Sequence, residues 1–75
     1  MQTYRNLSAN SGVQAYEYGD DYIRVQFTSG SVYLYTAASA GAEAIEAMKT
    51  LADAGEGLNR YINQHVSLAF AQRER

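Results

Sequence analysis

The chain has 75 residues, with 6 basic and 8 acidic side chains, a net charge of -2, and neither Cys nor Pro. That length allows one domain, the lack of Cys excludes disulfides and thiolate metal sites, and the slightly acidic balance is not the basic footprint of a general nucleic-acid binder. Domains under about 80 residues have little core and often lean on oligomerisation, so self-association is an expectation from composition alone.

Residues 1–11 are polar and run into the Asn10-Ser11-Gly12 break, which predicts a mostly irregular N-terminal arm. Within the arm, Tyr4 and Leu7 have the spacing of one helical turn or of two residues docked on a core. The arm has no apolar h-region, and no apolar run approaches the roughly 20 residues of a membrane helix, so a cytoplasmic chain without membrane contact is expected. One domain is predicted over residues 12–72, with a frayed tail at 73–75.

Val13 to Tyr18 predicts a first strand whose inner face is ambiguous, because both of its sides carry apolar area. Gly19-Asp20-Asp21 reads as a turn. Tyr22 to Phe27 then alternates, with Ile23, Val25 and Phe27 on one side and Tyr22, Arg24 and Gln26 on the other. Such alternation marks a half-buried strand. Ser31 to Thr36 is rich in the β-branched and aromatic residues that strands favour.

Taking Ser29-Gly30 as a two-residue hairpin turn pairs Phe27 with Val32, Gln26 with Tyr33, Val25 with Leu34 and Arg24 with Tyr35. This register gathers Ile23, Val25, Phe27, Val32 and Leu34 on an apolar face. It gathers Tyr22, Arg24, Gln26, Tyr33 and Tyr35 on the opposite face.

From Ala37 the period becomes helical. Ser39 is the expected N-cap, Glu43 lies near the positive end of the helix, and Gly41, Ala44, Ile45, Met48, Leu51 and Ala52 form the inner stripe. Gly55 is the expected residue just past the helix end. After Gly55-Glu56-Gly57, a second helix is predicted from Leu58. Its stripe is Leu58, Tyr61, Ile62, His65 and Ala69, widened by Val66 and Phe70. The expected fold is α+β: a three-stranded antiparallel meander packed on one face by two C-terminal helices, in two layers.

Tyr33-Leu34-Tyr35 resembles the central Y-x-Y motif of the KTSC domain, named for the C-terminus of some lysyl-tRNA synthetases. Further matches are Tyr18 and Asp20 at the first turn, Ile23-Arg24-Val25-Gln26-Phe27 in the strand, and Gly30 before the motif. Ala52, Gly55, Asn59 and Ile62 match toward the end. The resemblance spans roughly residues 8–66 and lies in the order of elements. It departs at Ala38-Ser39, where the family has Pro, and at Asn63, where it has a basic residue. It implies a stand-alone small α+β domain, and RNA binding has been suggested for that family.

The tyrosine face is the main functional candidate. Tyr22, Tyr33 and Tyr35 could stack unpaired bases of single-stranded or looped RNA, with Arg24 adding a cation and Gln26 a polar contact. The same residues suit a homodimer or protein interface, and cross-strand pairing or cover by the arm would account for them structurally. Asn59 and Arg60 are secondary candidates, because first-turn amides after a helix break can meet an anion. His65 has no partner at catalytic or metal spacing. Asp20-Asp21 reads as a turn, and Gly55-Glu56-Gly57 lacks the Lys and Ser/Thr of a phosphate loop. No catalytic residue, metal or cofactor is therefore expected.

Overall fold

A computed structural model of the chain describes residues 1–5 and 12–75. The part of the expected arm that includes Leu7 lies outside the described residues. Among those described, five strands form one antiparallel sheet in the order β1-β2-β3-β4-β5. They are β1 (Gln2–Thr3), β2 (Val13–Tyr18), β3 (Tyr22–Phe27), β4 (Val32–Thr36) and β5 (Gln72–Arg73). The helices are α1 (Ala37–Ala40), α2 (Ala42–Ala54) and α3 (Leu58–Tyr61), and α3 runs into a π-helical turn at Ile62–Val66. The α+β architecture and the antiparallel meander agree with the sequence reading. The count of three strands and two helices is corrected, because short strands at both ends of the chain extend the sheet and Gly41 divides the first helix.

The β3–β4 register also differs from expectation. Gln26 pairs with Val32, Val25 with Tyr33, Arg24 with Leu34 and Ile23 with Tyr35. Phe27 N donates to Ser31 O at 2.8 Å and Gly30 N donates to Phe27 O at 2.9 Å, which closes a three-residue loop, Thr28-Ser29-Gly30. Gly30 alone there has a positive φ, 95°. The physical reason is the turn chemistry. A two-residue type I′ turn needs positive φ at both positions and type II′ needs Gly at the first, whereas the three-residue loop needs it only at the last. Ser29-Gly30 satisfies only the last of these.

This shift moves β4 by one residue, so every β4 side chain changes face. Ile23, Val25, Tyr33 and Tyr35 now lie on the side that packs against the helices. Tyr22, Arg24, Gln26, Val32, Leu34 and Thr36 lie on the other. In β2 the register with β3 shifts between Val13 and Ala15. The extra residue lets Val13 and Tyr16, three apart, both turn inward, which resolves the ambiguous face of that strand.

The core joins Val13, Tyr16, Ile23, Val25 and Tyr35 of the sheet to Ile45, Met48, Ala52, Leu58, Ile62 and Val66 of the helical layer. Ile45, Met48 and Ala52 are the expected stripe of α2. Thr36 rather than Ser39 caps α1: Ser39 N donates to Thr36 Oγ1 at 3.1 Å and Thr36 N to Ser39 Oγ at 3.0 Å, a reciprocal capping box. Gly55 closes α2 in the left-handed conformation, with its N–H shared between the Leu51 and Ala52 carbonyls.

The chain ends are built in. Tyr4 is buried, its N–H donates to Gln14 O at 2.9 Å, and its hydroxyl accepts from Leu58 N at 3.3 Å. That last bond satisfies one of the first-turn amides a helix leaves unpaired. Residues 73–75, expected to fray, instead continue from β5 along β4.

Candidate functional site

The five residues expected on one platform are divided between the two faces. Tyr35 is 1% exposed, and burial, followed by the charge of Tyr33, pushes its hydroxyl up to about 12. Tyr33 is half-buried on the same side. Its ring meets those of Phe27 (centroids 5.7 Å apart) and Phe70 (4.8 Å) edge to face, and the Arg73 guanidinium lies 5.6 Å from its centre. A stacking surface made of Tyr33 and Tyr35 on the open face is therefore corrected: the one-residue register difference turns both rings toward the helical layer.

Tyr22, Arg24 and Gln26 remain on the open face, all half-buried. The Tyr22 ring occupies the space where a Cβ on Gly19 would stand. Arg24 is held between two carboxylates. Its Nη1 donates to Glu17 Oε2 at 2.5 Å, and its Nε to Glu74 Oε1 at 2.5 Å. Hydrogen bonding to Glu74 and then to Glu17 raises its pKa against the opposing effect of burial. The guanidinium is thus already engaged by anions and lies 5.5 Å from the Tyr22 ring centre.

Asn59 is half-buried, and a Cβ added to Gly12 would stand 3.7 Å from its Oδ1. Arg60 is exposed on α3, which has four residues and no side-chain cap. The first amide of α3, Leu58 N, already donates to the Tyr4 hydroxyl at 3.3 Å. His65 is exposed, its ring 4.6 Å from that of Tyr61. Among the described residues no group of three or more His, Cys, Asp or Glu side chains could hold a metal ion.

A second polar cluster ties the sheet to the end of α2. Asp53 accepts from Tyr16 Oη at 2.9 Å and from Tyr18 Oη at 2.7 Å, and its carbonyl accepts from Arg5. Burial first, and then the Asp53 hydrogen bond, pushes Tyr16 up to about 12, and the Asp53 hydrogen bond also raises Tyr18. Lys49 Nζ lies 5.3 Å from the Tyr18 ring centre and donates to Asp20 O and Glu46 Oε2, both at 2.9 Å. Every group in this cluster has a partner, which is the arrangement of a brace.

The sequence reading missed a groove of about 560 Å³ between the β3–β4 loop, the π-helical turn and the segment after it. Phe27, Tyr33 and Phe70 form its aromatic wall, Ile62 contributes to its lining, and Leu68 stands on its rim at 89% exposure. Thr28, Ser29, Ser31, Asn63 and Ser67 add hydroxyl and amide groups, and no charged side chain lines it among the described residues. Three local features build it: the three-residue hairpin loop, the widened π-helical turn of the kind frequent at functional sites, and the end of helical structure after Val66. Leu68 is the available signal in the sequence, because it falls off the Leu58/Ile62/Val66 stripe. Phe70, read as part of that stripe, faces the groove instead. Comparison with protein-family models, with curated proteins and with solved structures finds no match to the chain.

Proposed function

We propose that this chain is a small non-catalytic module that binds a protein partner through the uncharged aromatic groove. The observation that carries this reading is the groove's lining: four aromatic residues and an exposed leucine, with hydroxyl and amide groups and no charged side chain among the lining residues. Interface centres are enriched in aromatic residues and depleted in charge, and an apolar pocket with a few polar groups suits the side chain of a peptide. A phosphate backbone would be bound mainly by Lys and Arg; the groove's lining has neither, and the one guanidinium beside it, that of Arg73, lies over the Tyr33 ring and donates to Ser31 Oγ. RNA binding, the other reading of the sequence, then rests on Tyr22 and Gln26 beside an Arg24 whose donors already face carboxylates.

The KTSC-like character of the chain belongs to the same proposal. The positions that carry it serve the fold: Gly30 turns the hairpin, and Ile23, Val25, Tyr35, Ala52 and Ile62 are core. The resemblance thus supports an architecture and leaves the ligand to the surface.

Leu68→Asp tests the proposal, because a residue this exposed can be changed with a stability effect within about 0.5 kcal/mol. Selection of displayed peptides on the full chain, counter-selected against L68D, should enrich apolar and aromatic sequences that bind the parent chain alone. Enrichment that L68D retains equally would contradict the groove as the binding surface.

A further inference from the structure

Residues 71–75 cover the outer edge of β4. Ala71 N donates to Leu34 O at 2.7 Å, Glu74 N to Val32 O at 2.7 Å, and Val32 N to Arg75 O at 3.1 Å. Side chains reinforce this pairing from both faces of the sheet. Glu74 engages Arg24 on the open face, while Arg73 lies over the Tyr33 ring and donates from Nη2 to Ser31 Oγ at 3.3 Å. The edge therefore reads a basic residue followed by an acidic one, Arg73-Glu74, through a ring on one face and a guanidinium on the other.

Little apolar burial holds this segment, because all five of its residues are exposed. Its hydrogen bonds are peripheral, and half-exposed ion pairs are worth on the order of 0–1 kcal/mol each. Segments with few buried contacts open at low free energy. Opening leaves an unpaired strand edge, which is a template for an added strand. The preceding segment, 67–70, contains exposed Ser67 and Leu68 and can serve as the hinge.

We infer that residues 71–75 exchange between two copies of this chain, the segment of each pairing with the β4 edge of the other and placing its Glu74 against the Arg24 of that other copy. The second copy is the occupant because its segment carries the backbone bonds and the Arg-Glu pattern that the edge already accepts. The edge and the hinge adjoin the apolar groove through Ser31, Tyr33, Leu68 and Phe70, whereas the Arg24–Glu74 contact lies on the open face of the sheet, so charge reversal there tests the exchange without changing the groove's lining.

Charge reversal tests it on the full chain. R24E brings a third carboxylate up to Glu17 and Glu74 within one chain, and E74R sets two guanidinium groups against each other, so each variant closes poorly on itself. In a mixed pair, an E74R segment laid on an R24E edge restores an opposite-charge contact. An equimolar mixture should show a dimer fraction about tenfold above that of either variant alone at the same total concentration, a difference of about 1.4 kcal/mol. The doubly reversed chain, R24E with E74R, should return toward the parent's behaviour, short of it by the repulsion between Glu17 and the new carboxylate. A mixture that stays monomeric, with both variants folded by circular dichroism, would overturn the exchange.

A second readout covers misfolding of the reversed chains. L34C and Q72C on separate chains, at positions directly opposite across the β4 edge, should form an interchain disulfide well above the rate of L34C mixed with Q64C, whose position is exposed on the π-helical turn. Equal rates would overturn the proposal. So would slow hydrogen exchange at the Val32 amide, because exchange of the segment requires the Val32–Arg75 bond to open.

Discussion

At the scale of single residues, tyrosine carries most of the fold's specificity. Its ring has the area of a core residue and its hydroxyl seeks a partner or a polar edge. Tyr35 takes the first role: Tyr35→Ala should cost about 3–5 kcal/mol in urea unfolding, a large share of what so small a domain holds. Tyr35→Phe should cost far less, and an Ala variant as stable as the parent would contradict the buried placement.

Tyr16 and Tyr35 also set an alkaline limit. Both are raised from 10.0 to about 12 in the folded chain, so folding holds their protons more tightly than the unfolded chain does. Stability from this source is complete below pH 10 and is lost as pH rises toward about 12. For the deeply buried Tyr35 the shift corresponds to roughly 2–3 kcal/mol. Tyr16, whose hydroxyl meets the exposed Asp53, contributes less because solvent screens that end of the ring. Tyrosinate absorbance should show these two groups ionising late and together with unfolding. Asp53→Asn should lower the Tyr16 value only in part, because burial is its larger cause.

At the scale of elements, the hairpin decides what the surface is. Gly30 sits at φ 95° with open space around its missing side chain, so Gly30→Ala meets backbone strain and no clash. It should cost about 1–2 kcal/mol, measured by thermal unfolding, and no loss would contradict the three-residue loop. The alternation of β3, the inner stripe of α2 and the break at Gly55 are legible in sequence, because each rests on a local period or on one glycine. The β4 register is not. Counting Tyr33 and Tyr35 as surface residues treats an amphipathic ring as polar, and a two-residue Ser29-Gly30 turn ignores which positions can take positive φ. The bulge near Gln14 and the short outer strands depend on contacts between distant parts of the chain, as does the Tyr4–Leu58 bond across 54 positions, and local patterns do not carry these. The groove is illegible for the same reason: Phe27, Tyr33 and Phe70 come from three segments.

For the whole molecule, the sheet is covered on one face by the helical layer and lengthened at both edges by the chain's own end segments. Its open face carries an arginine clamped by Glu17 and Glu74. On the reading proposed above the apolar groove beside the hairpin loop receives the partner, and no helix among the described residues is long and apolar enough to cross a membrane. The most direct test of this account is an amide NMR titration of the isotope-labelled full chain, with N-acetyl-phenylalaninamide in one series and mixed single-stranded RNA in another. The account predicts saturable shifts from the phenylalanine probe that cluster at Phe27, Ser31, Tyr33 and residues 66–70, with none of that pattern from RNA. Saturable RNA shifts centred on Tyr22, Arg24 and Gln26, with the groove silent to the aromatic probe, would contradict it.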